Sequence, residues 1–404
     1  GAMGGLSYGS RKQTDSLDGK KVFHNASTVG SVDGDVLIKA GRALNIMGSN
    51  VIARQGDITL IGKEVNIGAV ADTAREKEFH EIKQTGLSIN ASTPLVDAMQ
   101  TAGRMGNTAG KTDNKVMQGL ALATTGIAAA NAYDAVAADP KSAGGVSLSI
   151  DFGVGKSQST TDRASSSVSG STLAAGRDLT IVAVGAGADS DVTVTGSRLS
   201  AGNNAVIKAD GDILLQAAQN TFEQHSKNKN YRGSVGIGVK ASSKDGVGVM
   251  LNVSAGGGRG HADGKDTNWT YTGVTAGNVL ALQSGGDTSL IGATGSADQI
   301  IASVAKNLRI ETLQDTSTYD AKQQSAGIQA DICIYGYCKS SVSGSVSQGR
   351  MNSNFKSATQ QAGLKAGDGG FLVDVNRNTT LIGGVISSSE QAVADGLNRL
   401  DTGT

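Results

Sequence analysis

The stretch SRLSAGNNAVIKADGDILLQAAQ, residues 197–219, alternates apolar and polar side chains in short bursts that end at Gly, Asn or Asp. Residues 205–210 and 213–216 both show the period of two that a β-strand requires, with Asp210-Gly211-Asp212 as a corner between them. Strands this short are marginal when isolated. Stacked copies would bury their apolar rows against equivalent neighbours, so the stretch predicts a β-solenoid.

Composition narrows the kind of interior that such a solenoid can have. The 404 residues include 57 Gly and 2 Pro but only 6 Phe, 7 Tyr and 1 Trp, so the interior must consist mainly of Val, Ile, Leu and Ala and must be narrow. Lys and Arg (36) balance Asp and Glu (36), which argues against nucleic-acid binding and against a polybasic membrane surface. Residues 1–4, GAMG, look like a tag remnant, and we expect residues 5–404 to be a single repeat domain excised from a longer protein.

A recurring Ala-Gly pair followed by an alternating strand marks the repeat. It occurs at Ala40-Gly41, Ala175-Gly176, Ala276-Gly277 and Ala366-Gly367. GSTLAAGRDLTI (170–181) is also echoed by GSRLSAGNNAVI (196–207). These spacings fit coils of roughly twenty residues with a strand on each face, as in parallel β-helices.

Three excursions, at about 75–165, 220–268 and 315–358, interrupt the repeat. Each leads from a polar stretch into a Gly- or Ser-rich alternating strand, a tip, and a second alternating strand that returns to the next marker. TGLSIN (85–90) and GVSLSIDFGVG (145–155) are one such pair. We expect three antiparallel β-hairpins that project from the solenoid, with two weakly apolar faces and long edges able to pair with another sheet.

The tip of the third excursion, CIYGYC, contains the only two cysteines, Cys333 and Cys338. A tight turn through Tyr335-Gly336 would bring the two side chains opposite each other. In a secreted chain such a pair favours a disulfide, which would mainly fix the tip; the alternative is two unpaired thiols.

The tip of the first excursion carries an insertion bracketed by Pro94 and Pro140. Thr93-Pro94 is typical of a helix start, and apolar residues then recur at helical spacing, so residues 91–140 predict a helical hairpin. Its second half, 119–138, contains no Lys or Arg. Two interpretations stay open, namely packing on a neighbouring element and contact with a membrane or partner. The contact residues would then be Leu120, Leu122, Ile127 and Tyr133.

No motif indicates catalytic, cofactor-binding or metal-binding residues. The four histidines, His24, His80, His225 and His261, are isolated in sequence. We interpret GGGRGHADGKD (256–266) as a solvated hairpin end rather than a calcium turn. Four aspartates precede predicted strands, namely Asp57, Asp178, Asp212 and Asp287. Aspartate in this position is a typical turn former, although a pair of carboxylates aligned across coils could also cleave a polysaccharide. We expect a chain that is not an enzyme and uses no cofactor and no small-molecule substrate.

The segments GSTLAAGRDLTI (170–181) and GSRLSAGNNAVIKADGDILLQAAQNTFEQHSKNKNYRGSVGIGV (196–239) resemble the hemagglutinin repeats of filamentous hemagglutinin-like exoproteins exported by two-partner secretion. The tail LIGGVISSSEQA (381–392) is similar to the end of that repeat block in contact-dependent growth inhibition effectors. The resemblance covers most of residues 30–390, and the insertion at 91–140 looks like one found in those effectors.

This resemblance implies an all-β fold, a right-handed parallel β-helix, secreted by or displayed on a Gram-negative cell. It implies a non-enzymatic segment that contacts the target-cell outer membrane, or a protein in it, and supports delivery of a C-terminal toxin. An outer-membrane transporter would secrete the parent protein. The alternative is an adhesin segment that binds a glycan or a host protein in an aromatic-lined groove, although Trp269 is the only tryptophan.

Overall fold

A computed structural model describes residues 6–92, 146–242 and 246–403. Most of these residues lie in β-strands, as the short apolar alternations predict. The described residues include one α-helix, α1 (Glu390–Ala394), which begins where the Ser389 side chain accepts a hydrogen bond from the Ala392 N–H. They also include a 3-10 turn at Gly187–Asp189.

The strands are numbered along the chain. The first group is β1 (Leu6–Val22), β2 (Thr28–Ser31), β3 (Val36–Lys39), β4 (Ala43–Met47), β5 (Asn50–Ala53), β6 (Ile58–Gly62), β7 (Glu64–Gly68) and β8 (Val70–Ser92). The second group is β9 (Val146–Ser169), β10 (Thr172–Ala175), β11 (Leu179–Ala183), β12 (Val192–Thr195), β13 (Arg198–Ala201), β14 (Ala205–Ala209), β15 (Ile213–Gln216), β16 (Ala218–Ser242) and β17 (Gly246–Thr270). The third group is β18 (Thr272–Ala276), β19 (Val279–Ser284), β20 (Thr288–Ile291), β21 (Ala293–Val304), β22 (Leu308–Glu311), β23 (Asp315–Cys338), β24 (Ser341–Ser357), β25 (Gly363–Val375), β26 (Thr379–Ile382), β27 (Val385–Ser387) and β28 (Arg399–Thr402).

Each of the first five coils contributes one short strand to each of three faces, and residues 197–219 form one such coil with β13, β14 and β15. The first face stacks β2, β5, β10, β13, β18, the start of β21, the start of β25 and β27. The second face stacks β3, β6, β11, β14, β19, the ends of β21 and β25, and β28. The third face is a seven-stranded sheet of β4, β7, β12, β15, β20, β22 and β26. All of these neighbours run parallel, so the coils wind into a β-helix-like solenoid and the predicted parallel arrangement is confirmed.

The interior of the coils is built from small aliphatic side chains stacked in columns. Its buried cluster consists of Val, Ile, Leu and Ala. In one column of the second face, Ile181 lies between Leu60 of the preceding coil and Ile207 of the following coil, and all three are fully buried. Each buried aliphatic side chain contributes about 1.5 to 3 kcal/mol, so stacking supplies the stability that a single coil lacks.

Gly176, Gly202 and Gly277 lie at the corner between the first and second faces, where the backbones of successive coils are in close contact. A Cβ added to Gly202 would lie 2.1 Å from the carbonyl oxygen of Gly176, and one added to Gly277 would lie 2.1 Å from that of Gly202. No side chain fits at that distance. Glycine is therefore needed at this corner for close backbone contact between coils.

The first marker, Ala40-Gly41, is not equivalent to the later ones. It follows β3 and therefore lies at the corner between the second and third faces. A Cβ on Gly41 would meet no atom within 4 Å. The equivalent corner of its own coil follows Ser31, which pairs with Ala53 of the next coil, and Ala53 in turn pairs with Ala175. The sequence match at Ala40-Gly41 is thus a local likeness and does not mark the same position in the coil.

A ladder of buried hydroxyls holds the corner between the third and first faces. The Ser49 N–H donates to the Ser171 Oγ (3.1 Å), the Ser171 N–H to the Ser197 Oγ (3.0 Å), and the Ser197 N–H to the Thr272 Oγ1 (3.4 Å). The Ser171 hydroxyl also donates to the carbonyl oxygen of Gly68 (2.8 Å). The ladder thus satisfies polar groups that the corner would otherwise bury without partners.

The three excursions leave the coils at this same corner. Each one begins after a third-face strand (β7, β15 or β22) and returns to a first-face strand (β10, β18 or β25). The strand pairs β8/β9, β16/β17 and β23/β24 are antiparallel. They do not remain separate, because β9 also pairs with β16 and β17 with β23, while β1 pairs with β8. The result is one seven-stranded antiparallel sheet, which we call the hairpin sheet.

The interpretation of residues 256–266 as a hairpin end is wrong. These residues lie inside β17, paired with β16 on one side and with β23 on the other. Gly256 pairs with Arg232 and with Gly327, so its backbone groups have partners within the sheet. Two flanking strands stabilise an extended Gly-rich segment that would favour a turn if it stood alone.

Side chains at the base of the hairpin sheet fasten it to neighbouring strands. The Asn220 side chain accepts a hydrogen bond from the Val168 N–H (2.8 Å) and donates to the Thr270 Oγ1 (2.9 Å), so it joins three strands. The indole of Trp269, the only tryptophan, donates to the Gln314 carbonyl oxygen (3.1 Å). The tryptophan therefore has a structural role at the junction between two hairpins.

The predicted helical insertion falls almost entirely outside the described residues. Ser92 ends β8 and Val146 begins β9. The predicted contact residues Leu120, Leu122, Ile127 and Tyr133 therefore lie outside the part of the chain that the structure describes.

Candidate interaction surface

Directly opposed residues of the hairpin sheet point to the same face, so each row across the strands has one environment. Near the hairpin ends one row consists almost entirely of apolar side chains. It contains Tyr8, Leu87, Phe152, Val235, Val253, Ala330 and Val342. The adjacent row on the same face contains Ile150, Ile237, Leu251 and Ile332.

These rows expose large apolar side chains to solvent. Phe152 is 48% exposed and Ile237 is 56% exposed. We define the apolar patch as Leu87, Ile150, Phe152, Val154, Val235, Ile237, Val253, Ile328, Ile332 and Val342. At about 4.8 Å per strand, the patch is about 25 Å wide from β8 to β24.

The opposite face at the same level is small and polar. Its row contains Gly86, Gly153, Ser234 and Ser254, and the Ser234 and Ser254 hydroxyl oxygens lie 2.7 Å apart. The expectation of two weakly apolar faces is therefore wrong. Glycine alternates with Val and Ile in these strands, so one face carries the apolar side chains and the other carries almost none.

Positive charges follow the apolar patch towards the coils. The next three rows of the same face define the basic band, whose members are Lys12, Lys83, Lys156, Lys227, Lys229, Arg259, Lys322 and Arg350. Tyr231 lies at the boundary between the patch and the band and is 53% exposed. Its ring is apolar and its hydroxyl polar, which suits a boundary of this kind.

Glu81 is the acidic residue within the rows of the basic band. Its carboxylate lies 2.7 Å from the Lys156 Nζ and 3.0 Å from the Lys83 Nζ. Hydrogen bonds from Lys156 and then Lys83 hold the pKa of Glu81 below its usual value, and Glu81 raises the pKa of Lys156. One carboxylate thus partly neutralises two of the cations.

A predominantly acidic row lies next, closer to the coils. It contains Asp18, Lys77, Asp162, His225, Asp263 and Asp320. The face therefore changes from apolar to basic to acidic along the strands. The balanced charge of the whole chain conceals this segregation.

Every histidine lies beside an aspartate of another strand or segment. The contacts are His24 Nδ1 to Asp72 (3.1 Å), His80 to Asp15, His225 Nδ1 to Asp263 (2.8 Å) and His261 Nε2 to Asp320 (3.7 Å). The partners are distant in sequence, and the sequence offers no signal for them. Within the described ranges no group of three His, Cys, Asp or Glu side chains could hold a metal ion.

The four candidate carboxylates belong to two separate corner ladders. At one corner, the Asp57 Oδ1 accepts a hydrogen bond from the Asp178 N–H (3.1 Å). At another corner, the Asp212 Oδ1 accepts one from the Asp287 N–H (2.7 Å). Each carboxylate satisfies a backbone donor of the next coil, which supports their interpretation as turn formers.

Cys333 and Cys338 form a disulfide with a Cα–Cα distance of 5.6 Å. The sequence predicts a tight turn at Tyr335-Gly336, and this prediction is wrong. β23 continues to Cys338 and stays paired with β17. A register shift between Val249 and Met250 accommodates the closed loop. It leaves Tyr335 and Tyr337 strongly exposed at the tip.

Across the parts of the chain that the structure describes, no helix is both long enough and apolar enough to cross a membrane. The exposed apolar surface described above is formed by strands, on the hairpin sheet.

A protein family described as "Hemagglutinin repeat" matches residues 1–86 and 152–326. Toxin CdiA of Yersinia pestis is 36% identical over 99% of this chain and 12% of that protein. Toxin CdiA of Escherichia coli is 34% identical over 99% of this chain and 13% of that protein. Deoxyribonuclease CdiA of Yersinia pseudotuberculosis is 36% identical over 99% of this chain and 37% of that protein.

The chain spans only about an eighth of each of the two Toxin CdiA proteins. No solved structure matches it. The matched segments contain most of the coils and most strands of the hairpin sheet. The chain therefore belongs to the hemagglutinin-repeat family, as a CdiA-like segment of the cell-surface exoproteins that Gram-negative bacteria secrete by two-partner secretion.

Proposed function

We propose that this chain is a non-enzymatic segment of a contact-dependent growth inhibition exoprotein. It contacts the outer membrane of the target cell, or a protein in that membrane, and supports delivery of the toxin carried by the parent protein. The observation that carries this proposal is the exposed apolar patch of the hairpin sheet. Exposed apolar patches of this extent are uncommon on soluble proteins and mark binding surfaces.

In this proposal residues 5–404 act as one domain with two functions. The coils are a right-handed β-helix that serves as a rigid scaffold, since right-handed crossovers dominate parallel sheets. The hairpin sheet projects from the scaffold. Two observations support the projection. Both faces of the hairpin sheet are largely solvent-accessible, and its described strands contact mainly one another.

Substitution of the apolar patch tests the proposed contact. The variant carries Phe152→Ser, Val235→Ser and Ile237→Ser, and its binding to outer-membrane vesicles is compared with that of the unmodified protein. Each lost apolar contact of about 1.5 kcal/mol or more weakens binding roughly tenfold, so we expect at least a hundredfold loss for three.

A matched control replaces three exposed apolar side chains of the coils by Val29→Ser, Leu37→Ser and Leu372→Ser. We expect the control to bind as the unmodified protein does. Circular dichroism establishes that both variants keep their strand content. Equal binding by the patch variant and the control would contradict the proposed contact.

The insertion is proposed as a second contact, through Leu120, Leu122, Ile127 and Tyr133. Deletion of residues 93–140 tests that role, and we expect weaker vesicle binding. Unchanged binding removes the insertion from the proposal and leaves the apolar patch as the contact. Binding to a glycan array that survives both the deletion and the patch substitutions would favour an adhesin instead.

A further inference from the structure

We propose that the basic band binds the phosphate groups of an anionic lipid surface, into which the adjacent apolar patch inserts. This inference rests on the proposed membrane contact and names the chemistry that the hairpin sheet recognises. It is carried by the order of the rows on one face of the sheet, which runs from apolar to basic to acidic.

The basic band has the excess of positive charge that such binding needs. Its members come from all seven strands of the hairpin sheet, so the charge runs across the sheet rather than along one segment. Five of its cations have no acidic side chain within ion-pair distance among the described residues; they are Lys12, Lys227, Lys229, Arg259 and Lys322. These side chains are free to meet an external anion.

The distance of the band from the apolar patch fits a lipid surface. Rows on one face are two residues apart, which is about 7 Å. Tyr231 and Lys156 lie in the row next to that of Val154, and Lys229 lies one row further. When the apolar rows enter the boundary of the acyl chains, these cations lie at the depth of the phosphate groups, as in basic interfacial proteins.

The acidic row is set back from this surface. His225 and its neighbouring aspartates lie four residues, about 14 Å, from the row of Lys229. This exceeds the Debye length of about 8 Å at physiological ionic strength, so the repulsion between the acidic row and a negative surface is largely screened. The order of charges therefore orients the sheet with its hairpin ends towards the lipid.

A soluble polyanion would explain the cations but not the apolar rows beside them. A neutral membrane would explain the apolar rows but not the band. A phosphate-bearing lipid surface uses both, through hydrophobic insertion and charge attraction on one face.

Binding to vesicles tests the inference. The full chain is mixed with vesicles of phosphatidylcholine alone or with about one-third phosphatidylglycerol added, and binding is measured over a range of salt concentrations. We expect tighter binding to the anionic vesicles and a preference that declines with salt. Equal affinity for the two kinds of vesicle overturns the inference.

A charge variant identifies the residues. It carries Lys227→Gln, Lys229→Gln and Lys322→Gln, and each lost charge near a membrane surface weakens binding roughly fivefold. We expect affinity for anionic vesicles about 100-fold lower and affinity for phosphatidylcholine unchanged. A matched control carries Lys39→Gln, Lys63→Gln and Lys306→Gln on the coils and keeps the affinity of the unmodified protein. An equal loss in the control and the variant overturns the assignment to the band.

The two proposals fail in different ways. If the patch variant loses binding to all vesicles while the charge variant keeps its anionic preference, the membrane contact stands and the present inference falls. If the charge variant loses that preference while the patch variant binds phosphatidylcholine normally, phosphate binding by the basic band stands, whereas the proposed insertion of the apolar patch falls. Release by inorganic phosphate beyond that caused by chloride of equal ionic strength reveals a free-phosphate site and overturns the lipid assignment.

Discussion

Individual residues at the corners decide whether one coil can rest on the next. Gly202 leaves room for the Gly176 carbonyl oxygen, and the hydroxyl of Ser197 accepts a backbone hydrogen bond from the coil before it. Neither residue contributes a large apolar area. Both allow the backbones of successive coils to approach closely. The buried aliphatic columns then stabilise the stacked coils.

Replacing Gly202 by alanine should destabilise the coils. The added methyl group would lie 2.1 Å from a carbonyl oxygen, and the backbone shift that relieves this overlap costs about 1 to 3 kcal/mol. Chemical denaturation measures the change in the free energy of unfolding. Gly41→Ala is the matched control, since its methyl group would meet nothing within 4 Å. Equal stability of the two variants would contradict the corner assignment.

The carboxylate of Asp72 should make the base of the first hairpin sensitive to acid. It accepts hydrogen bonds from the His24 N–H, the Ser169 hydroxyl and the His24 ring, which lower its pKa from the ordinary 3.8. The pKa of Asp72 is lower in the folded protein than in the unfolded chain. The stability that these hydrogen bonds contribute is therefore complete above pH 3.8 and is lost as the pH falls through the folded pKa. We expect the NMR signal of the His24 amide to move in that acidic range.

An Asp72→Asn variant provides the control for this titration. The signal of its His24 amide should not follow the same acidic transition. An unchanged transition in the variant would assign the effect to another group.

Among the elements, the strands of the hairpin sheet are long and the strands of the coils are short. A pair of strands with 25 residues each, such as β16 and β17, would not be stable alone. Pairing of β9 with β16 and of β17 with β23 gives the inner strands partners on both sides. The hairpins therefore stabilise one another.

The disulfide should stabilise only the tip of β23. Cys333 and Cys338 close a loop with a sequence separation of 5, and the loop lies at the end of the strand away from the coils. We expect a variant with Cys333→Ser and Cys338→Ser to lose amide-exchange protection around residues 332–339. The main thermal transition should stay within a few degrees of that of the unmodified protein. A large shift of that transition would show that the tip supports the whole sheet.

Elements with local patterns could be predicted from the sequence. The alternation at 205–210 and 213–216 corresponds to β14 and β15, and their parallel stacking follows from the repeat. Pairing between different excursions could not be predicted, since Phe152 and Val235 are neighbours only after both hairpins have formed. The sequence also records no strand register, so it could not show that Ile150 and Ile237 share a face.

The basic band had no signal in the sequence for the same reason. Its cations extend from Lys12 to Arg350 and lie far apart in the sequence. Only the pairing of strands places them in adjacent rows. The balanced net charge was an argument against a polybasic membrane surface, but net charge does not report how charges are distributed over a surface, and the basic band departs from that expectation.

At the scale of the whole molecule, the hairpin sheet sets the largest dimension. The seven strands of the third face form a stack only about 30 Å tall, whereas β16, with 25 residues, extends about 80 Å. The coils are thus much shorter than the hairpins that they carry.

Small-angle scattering should register this shape. A compact domain of this length would have a radius of gyration near 22 Å, and we expect about 25 Å or more with a maximum dimension above about 80 Å. Deleting residues 220–268 would remove the central hairpin and split the sheet. A radius of gyration near the compact value for the intact chain would contradict an extended hairpin sheet.

The shared exit corner has a consequence for how this protein can diversify. Since β7, β15 and β22 all release the chain at the point where β10, β18 and β25 take it up again, the winding resumes at the same place whatever is threaded through the gap. An excursion can be lengthened, shortened or exchanged while the coils beneath it stay unchanged. Evolution can then alter what the molecule touches without having to solve again the problem of how it folds.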